Sequence, residues 1–186
     1  MTRIIAGRAG SLTLDVPGAG TRPTSDRVRE SIVGALEAAG AVTGAAVLDL
    51  YAGSGALGLE CLSRGAASVD LVEKAPRAAA VAGRNAERVG AALGGPTARV
   101  HRAAADTFLR GTSLRFDLVF LDPPYDLGDA ELAATLTRVG EVLSADADVV
   151  IERATRSGEP SLPAGLAMDR SRRYGDTTVW WARTRA

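Results

Sequence analysis

Four consecutive residues, Asp122-Pro123-Pro124-Tyr125, have types that suit chemistry on an amino group attached to an aromatic ring. Such a nitrogen is a weak nucleophile, because its lone pair is delocalised into the ring. The Asp122 carboxylate and the Pro123 carbonyl can accept hydrogen bonds from its two N–H groups and turn the lone pair toward an electrophile. The prolines restrict the loop, since proline fixes its own φ and keeps the preceding residue extended. Tyr125 offers a face on which a nucleobase can stack.

Taken alone, this motif is also compatible with an ordinary turn. Its position favours a site, because it follows the apolar run Phe116–Leu121, which predicts a strand. The carboxyl ends of strands in an open α/β sheet face the ligand crevice. We therefore predict that Asp122, Pro123, Pro124 and Tyr125 form the catalytic loop.

A second group of residues predicts a binding site for a cofactor that contains adenosine. The apolar run Ala46–Leu50 leads into the pattern Gly53-x-Gly55-x-x-Gly58, and a helical segment follows. Glycine lets the backbone turn sharply and approach a ligand, while the N-terminus of a helix favours negative charge. Glu73 ends the next predicted strand, twenty residues after Gly53, where an acid can hold both hydroxyls of a ribose.

Asp49 distinguishes between two cofactor types. A carboxylate this close to the glycines would be repelled by the pyrophosphate of a dinucleotide, whereas it attracts the ammonium group of S-adenosylmethionine (SAM). The stretch from Asp49 to Gly55 also resembles the first motif of SAM-dependent methyltransferases. Asp106 is a candidate partner of the adenine amino group, and an N-cap role in the following helix is an open alternative. The full predicted cofactor set is Asp49, Tyr51, Ala52, Gly53, Ser54, Gly55, Glu73, Lys74, Ala105, Asp106 and Thr24.

Composition excludes several other kinds of site. The chain has 186 residues, of which 46% are hydrophobic and 24% are charged, as expected for one folded domain. Cys61 and His101 are the single cysteine and the single histidine, which rules out an internal disulfide, a CxxC site and a histidine cluster. We expect Cys61 to be a core residue and His101 to be a packed or surface residue. No apolar run approaches the length of a membrane span, and nothing resembles a signal peptide. We therefore expect the protein to be located in the reducing cytoplasm.

The elements that must position these residues alternate along the chain. Predicted strands at 46–50, 68–72, 98–100, 116–121 and 148–151 alternate with predicted helices at 56–64, 76–89, 105–110 and 129–143. Repeated β-α-β units indicate a parallel sheet with helices on both faces. Residues 3–7 and 11–16 predict an N-terminal hairpin, and a helix capped by Thr24 or Ser25 follows a linker. Residues 166–172 and 177–183 predict a second hairpin. We divide the chain into a hairpin extension with linker (1–20) and a catalytic domain (21–186).

The charge distribution suggests an anionic partner. The net charge is zero, but arginine outnumbers the acidic residues at both ends of the chain while the middle is acidic. A random scatter of charges over the surface is an equally open interpretation. Arg27 and Arg29 lie two apart and therefore point in different directions on a helix. The candidate nucleic-acid contacts are Arg3, Arg8, Arg22, Arg27, Arg29, Arg172 and Arg173; for the last two, protection of a sheet edge is an alternative.

Together these motifs resemble the bacterial methyltransferases that modify a guanine of 16S ribosomal RNA at N2. The similarity spans nearly the whole chain. Its most specific part is Arg22-Pro23-Thr24 followed by Asp26-Arg27-Val28-Arg29-Glu30. It also includes residues 3–7, 49–60, 122–125 and 174–177. One departure is that Ser11, rather than a basic residue, follows the glycine of the hairpin.

The resemblance implies a Rossmann-like α/β fold, namely a seven-stranded class I methyltransferase sheet with helices on both faces and a small N-terminal β-hairpin. It implies SAM as the cofactor and 16S rRNA, within the small subunit or an assembly intermediate, as the partner. We expect a monomer with no metal requirement, since in-line methyl transfer from a sulfonium needs none. Three competing hypotheses are a DNA methyltransferase acting on adenine N6 or cytosine N4, an NAD-dependent oxidoreductase and a non-catalytic RNA-binding assembly factor.

Overall fold

A seven-stranded mixed sheet with helices on both faces is the central feature of the computed structural model, which describes residues 1–18, 25–95 and 98–185. A two-stranded antiparallel sheet, β1 (Thr2–Arg3) and β2 (Thr13–Leu14), precedes it. The large sheet contains β3 (Ala46–Leu50), β4 (Ser68–Val72), β5 (Arg99–His101), β6 (Phe116–Leu121), β7 (Leu143–Ala154), β8 (Leu166–Tyr174) and β9 (Thr177–Thr184). The helices are α1 (Asp26–Ala38), α2 (Ala56–Ser63), α3 (Pro76–Leu93), α4 (Ala105–Gly111) and α5 (Asp129–Val142).

The strand order is β5-β4-β3-β6-β7-β9-β8, in which β3 to β7 are parallel and β9 runs antiparallel to both β7 and β8. This arrangement confirms the predicted class I methyltransferase fold with its N-terminal hairpin. The chain proceeds from β3 outward to β5 and then returns to the other side of β3 for β6. The boundary between β3 and β6 is therefore the topological switch point of the sheet, where ligands of such folds bind.

The strand β7 is the clearest difference from the predicted elements. An apolar run predicts only residues 148–151, whereas the strand spans twelve residues. Its polar end belongs to the sheet because Glu152 to Ala154 pair with residues 179 to 177 of β9. Hydrogen bonding to a distant strand therefore extends β7 beyond its apolar pattern.

Two apolar layers cover the two faces of the sheet. Helices α1, α2 and α3 pack on one face, where Ile32, Leu59 and Val89 are buried among strand residues. Helices α4 and α5 pack on the other face, where Leu109 and Leu136 are buried. Successive residues of a strand belong to different layers, because their side chains point to opposite faces of the sheet.

The N-terminal hairpin packs into the first of these layers. Ile4 and Leu14 are fully buried there. The backbone N–H groups of Ile5 and Ala6 donate to the two carboxylate oxygens of Glu60 in α2, at 2.8 and 2.9 Å. The predicted hairpin is thus present with shorter strands, and it shares a core with the rest of the fold. The predicted domain boundary near residue 20 lies outside the described residues.

Arg29 is buried, so its predicted contact with nucleic acid is wrong. Its side chain has 0% exposure in α1. The guanidinium donates to the Thr2 hydroxyl at 3.2 Å, the Arg3 carbonyl at 2.5 Å and the Asp26 carboxylate at 3.1 Å. These hydrogen bonds, with the Glu60 carboxylate 3.7 Å from Nε, offset much of the cost of burying the charge, although Nε itself has no hydrogen-bond partner among the described residues. Arg29 therefore holds the hairpin to α1.

The remaining structural predictions concern single residues. Cys61 is buried in the core, as predicted. His101 is a partly exposed residue at the end of β5, and its Nε2 lies 2.7 Å from the Asp70 carboxylate. Over residues 1–18, 25–95 and 98–185, none of the helices combines the length and apolar character needed to cross a bilayer.

Candidate functional site

The two predicted chemical motifs leave the sheet side by side. Leu50 at the end of β3 pairs in parallel with Leu121 at the end of β6. The residues that follow, Tyr51 and Asp122, therefore start neighbouring loops at the carboxyl edge. Glu73 follows β4 on the other side of β3, since Leu50 also pairs with Val72. The site thus lies at the switch point, with the glycine loop between the loop of Asp122 and the acid at Glu73.

The glycine loop adopts backbone conformations that explain its composition. Gly53 and Gly55 have φ values of +56° and +79°, and Gly55 is the N-cap of α2. Tyr51 has φ +62°, which is uncommon for a residue with a side chain and marks a constrained turn. A Cβ on Gly58 would lie 2.6 Å from a Leu71 methyl, so only glycine lets α2 approach β4 this closely.

Glu73 is in contact with the glycine loop. One oxygen of its carboxylate accepts the Gly53 N–H at 2.9 Å, and the other accepts the Ala75 N–H at 2.7 Å. The carboxylate therefore ties the end of β4 to the loop. Each oxygen keeps a second lone pair that can accept a hydroxyl proton.

Asp49 is a buried carboxyl directly beneath the loop. Its residue exposure is 2%, and Oδ2 accepts the Gly58 N–H at 3.0 Å. The pKa of Asp49 is raised from 3.8 to about 7, chiefly by burial; the Gly58 hydrogen bond acts in the opposite direction, and the negative charge of Glu73 adds to the rise. The fold therefore holds a carboxyl whose ionised form is costly unless a cation lies nearby.

We expect Asp49→Asn to change how stability depends on pH. The wild-type carboxyl binds its proton more tightly in the folded chain than at its ordinary pKa of 3.8. The stabilisation of the folded wild type by this bound proton is complete below about pH 4 and is lost as the pH rises to about 7. The asparagine side chain cannot ionise, so the variant does not lose stability in this way. Its free energy of unfolding should therefore rise relative to that of wild type between pH 4 and 8, by at most about 4 kcal/mol.

Urea unfolding of both proteins at pH 4.5, 6 and 8 measures this difference. Asp126→Asn, which changes an exposed carboxylate near the same edge, is the matched control. A stability difference that stays constant with pH would contradict the prediction for Asp49.

Four other predicted cofactor residues that the structure describes follow the strands β3, β4 and β5. Ser54 is buried, and its carbonyl accepts a hydrogen bond from Asn85 at 2.9 Å. Ala52 is half-buried and Lys74 is exposed. Ala105 is buried at the start of α4. Thr24 lies outside the described residues.

Asp106 is not a helix N-cap, because Ala104 occupies that position. Asp106 lies in the first turn of α4, where its carboxylate pairs with Arg110 at 2.8 Å and Arg138 at 2.5 Å. The alternative N-cap interpretation is therefore wrong. The contact of Asp106 with adenine stays a prediction.

The loop that follows β6 combines an anchored start with an exposed tip. Asp122 is half-buried and Pro123 is buried, whereas Pro124 is exposed. Tyr125 is 63% exposed. We call residues 122–125 the acceptor loop. A shallow recess borders it, lined by Pro123, Pro124, Tyr125, Glu152, Arg153, Ala154 and Ser157.

Arg153 supports the segment after the acceptor loop. Its guanidinium pairs with the Asp129 carboxylate at 2.7 Å and donates to the Leu127 carbonyl at 3.4 Å. The arginine side chain is almost fully buried, while the aspartate is exposed. Sequence reasoning missed this residue, because nothing local relates residue 153 to a loop 26 residues earlier.

The predicted nucleic-acid arginines fall into different environments. Arg3, Arg8 and Arg27 are exposed, although Arg8 donates to the Leu93 carbonyl at 2.8 Å. Arg172 and Arg173 are exposed at the end of β8. Arg22 lies outside the described residues. With Arg29 buried, five of the predicted arginines are exposed: Arg3, Arg8, Arg27, Arg172 and Arg173.

Asn85 is a second residue that sequence reasoning missed. It is fully buried in α3. Its amide donates to the carbonyls of Asp15 and Ser54, both at 2.9 Å, and its oxygen accepts the Asp15 N–H at 2.9 Å. One side chain thus joins the segment after the hairpin to the glycine loop. A polar residue on the inner face of a predicted amphipathic helix is the signal that could have indicated it.

Comparison with known proteins places the chain among methyltransferases. A family model described as "Conserved hypothetical protein 95" matches residues 2–183. Ribosomal RNA small subunit methyltransferase D of Escherichia coli is 36% identical over 174 residues, covering 93% of this chain and 85% of the relative. A solved structure of an Escherichia coli protein, described as a candidate methyltransferase, superposes with a TM-score of 0.83 at 32% identity and covers 98% of this chain and 97% of that one. A hypothetical protein of Thermus thermophilus superposes with a TM-score of 0.81 at 31% identity, covering 97% and 98%.

Proposed function

Since the chain belongs to the conserved hypothetical protein 95 family, together with ribosomal RNA small subunit methyltransferase D, we propose that it transfers a methyl group from SAM to the exocyclic N2 of a guanine in 16S rRNA. Family membership supports the coarser activity, methylation of ribosomal RNA by a SAM-dependent methyltransferase. The choice of guanine N2 rests on the resemblance of the motifs and on the chemistry of the acceptor loop.

The observation that carries the proposal is the adjacency of the two loops. Leu50 and Leu121 pair at the ends of β3 and β6, so the acceptor loop and the glycine loop start together at the switch point. A nucleophile held by one loop and an electrophile held by the other would meet at this edge. Such positioning supplies much of the rate in a reaction between two bound groups.

The residues of the glycine loop fit SAM. No atom lies within 4 Å of the place where a Cβ would stand on Gly53, so the backbone there is open to a ligand. Asp49 supplies the buried carboxyl, and an ammonium group nearby would favour its ionised form. Glu73 supplies oxygens for ribose hydroxyls. When bound, SAM supplies its methyl group as an electrophile, and the N–C bond that forms replaces the S–C bond that breaks.

The acceptor loop orients the amino group. The Asp122 carboxylate and the Pro123 carbonyl accept hydrogen bonds from its two N–H groups. These bonds favour a pyramidal nitrogen whose lone pair points toward the methyl carbon. After transfer the nitrogen is cationic and releases one proton to Asp122 or water. Tyr125 is exposed and can stack on the guanine once the base has left its helix, for about 1–3 kcal/mol.

We propose the small ribosomal subunit or its assembly intermediate as the acceptor, with the protein acting as a monomer in the cytoplasm and without a metal ion. Transfer of a labelled methyl group from SAM tests the activity. Small subunits from cells lacking this protein are compared with their naked RNA and with duplex DNA, and the modified nucleoside is identified after digestion. Protein that has been treated with EDTA and then freed of it before it is mixed with the subunits should keep full activity.

The expected product is N2-methylguanosine from subunits. N6-methyladenine or N4-methylcytosine in DNA would keep the acceptor-loop chemistry and overturn the substrate. SAM binding without transfer to any acceptor would favour the assembly-factor hypothesis. Binding of NADH in place of SAM would favour the oxidoreductase hypothesis.

A further inference from the structure

Three exposed arginines lie on the face of the molecule that carries α1. Arg170 and Arg172 of β8 pair with Trp181 and Val179 of β9, and both partners are buried in the layer that contains α1. Residues paired across strands point to the same side of a sheet, so Arg170 and Arg172 project on the α1 face. We call Arg170, Arg172 and Arg27, which lies at the start of α1, the α1-face arginine row.

Direct contacts join β8 to α1. The Tyr174 and Ser31 hydroxyls lie 2.6 Å apart, and the Arg172 guanidinium donates to the Ser31 hydroxyl at 3.4 Å. Arg27 precedes Ser31 by one helical turn, so the two residues share a helix face. The row is therefore continuous from the first turn of α1 to β8.

Aromatic rings hold two of the arginines in place. The guanidinium of Arg172 lies 5.2 Å from the centre of the Tyr174 ring, and that of Arg170 lies 4.7 Å from a ring of Trp181. Such stacking restricts the side chains without using up their N–H donors. The guanidiniums stay exposed, with donors available for an anion.

The row ends beside the acceptor loop. Arg172 pairs with Val179, and Val179 pairs with Glu152 of β7, so Arg172 lies two strands, or about 10 Å, from Glu152. Glu152 lines the same recess as Pro123 and Tyr125. An anionic chain lying on the row would therefore lead directly to the catalytic edge.

Local acids leave the row net basic. The Asp26 carboxylate next to Arg27 binds Thr2 and Arg29. The carboxylate of Glu30 pairs with Arg64 at 2.5 Å. Asp169 is 4.0 Å from the Arg170 guanidinium, at the limit of an ion pair. A surface with several arginines and aromatic rings fits the phosphates of a nucleic acid.

Arg173 belongs to the opposite face. Arg173 pairs with Thr178, which is next to Val179 in β9 and therefore points to the other side of the sheet. The Nε of Arg173 donates to the Gly175 carbonyl at 2.8 Å. Arg172 and Arg173 are thus adjacent in sequence, equal in charge and separated by the sheet. This makes Arg173 a matched control for any role of the row.

We propose that the α1-face arginine row binds the phosphates of an unpaired RNA strand that leads the target guanine to the acceptor loop, and that Arg173 takes no part. The inference rests on the proposed function and adds the path and the conformation of the substrate. An unpaired strand fits because the exposed Tyr125 can stack only on a base that is free of its helix.

The test measures binding of a fluorescent single-stranded RNA to wild type, Arg172→Ala, Arg27→Ala and Arg173→Ala at several salt concentrations. Arg172→Ala and Arg27→Ala should each weaken binding about five- to tenfold and reduce the slope of log affinity against log salt by about 0.7. Arg173→Ala should stay within twofold, and Arg172→Lys should keep most of the slope. Thermal unfolding and SAM affinity of each variant check that fold and cofactor site are intact.

Equal losses for Arg172→Ala and Arg173→Ala, no loss for Arg172→Ala, or tighter binding of wild type to duplex than to single-stranded RNA would each overturn the inference. Methyl transfer to small subunits separates this result from the proposed function. A wild-type protein that forms no N2-methylguanosine contradicts the proposed function, whatever the variants do in RNA binding. Normal methylation by wild type with an unchanged KM for subunits in Arg172→Ala contradicts the arginine row alone.

Discussion

Replacing Asp122 by alanine should reduce methyl transfer by about a thousandfold or more and leave SAM affinity within a few-fold of wild type. We propose that the carboxylate orients the acceptor nitrogen, and misplacement of a reacting group by even 1 Å can lower a rate about a hundredfold. Asp122 follows β6, whereas the predicted SAM contacts that the structure describes lie in or after β3, β4 and β5, so the two functions lie on separate segments. Single-turnover methyl transfer and calorimetric titration with SAM measure the two quantities independently.

Asp126→Ala is the matched control for this prediction, since it removes an exposed carboxylate four residues further along the same loop. It should keep methyl transfer within a few-fold. Asp122→Asn should retain part of the activity, because its amide oxygen can still accept one hydrogen bond. Simultaneous loss of SAM binding and transfer in Asp122→Ala would identify Asp122 as a cofactor or folding residue and refute its role at the acceptor.

Glu60→Ala should lower the free energy of unfolding by about 3–5 kcal/mol. Glu60 is fully buried, and its carboxylate accepts the N–H groups of Ile5 and Ala6 and the guanidinium of Arg64 at 2.9 Å. The Arg29 guanidinium lies 3.7 Å away and is also buried. Removing the carboxylate leaves two buried cations and two backbone donors without this acceptor, which costs far more than an exposed ion pair.

Urea unfolding of Glu60→Ala and Glu37→Ala measures the difference. Glu37 pairs with the same Arg64 at 2.7 Å, but its side chain is about half exposed. Its loss should therefore cost at most about 1 kcal/mol. Equal effects of the two variants would show that burial does not determine the contribution of Glu60.

Local patterns in the sequence predicted most of the secondary structure. The strands β3, β4 and β6 coincide with apolar runs, because a strand covered on both faces needs a continuous apolar segment. The glycine loop was recognisable because positive φ at Gly53 and Gly55 requires glycine. The alternation of strands and helices then placed Asp49, Glu73 and Asp122 at one edge of the sheet, since parallel strands end on the same side.

Charged residues were predicted less well, because their environment depends on distant parts of the chain. Arg27 and Arg29 look alike in the sequence, but Arg27 is exposed and Arg29 is buried against the N-terminal hairpin. Likewise Arg172 and Arg173 were predicted together, although the pleat of β8 sends them to opposite faces.

By itself, the sequence determined the class of fold, the glycine loop and the residue types at the carboxyl edge of the sheet, since each depends on a local pattern of spacing and polarity. Only the tertiary structure decided which polar groups meet. Glu60 binds the backbone of Ile5 55 residues away, and Ser31 meets the Tyr174 hydroxyl 143 residues away. Periodicity along the chain shows which side of an element is apolar, but a buried charge is stabilised by whichever partner the packing brings within hydrogen-bonding distance.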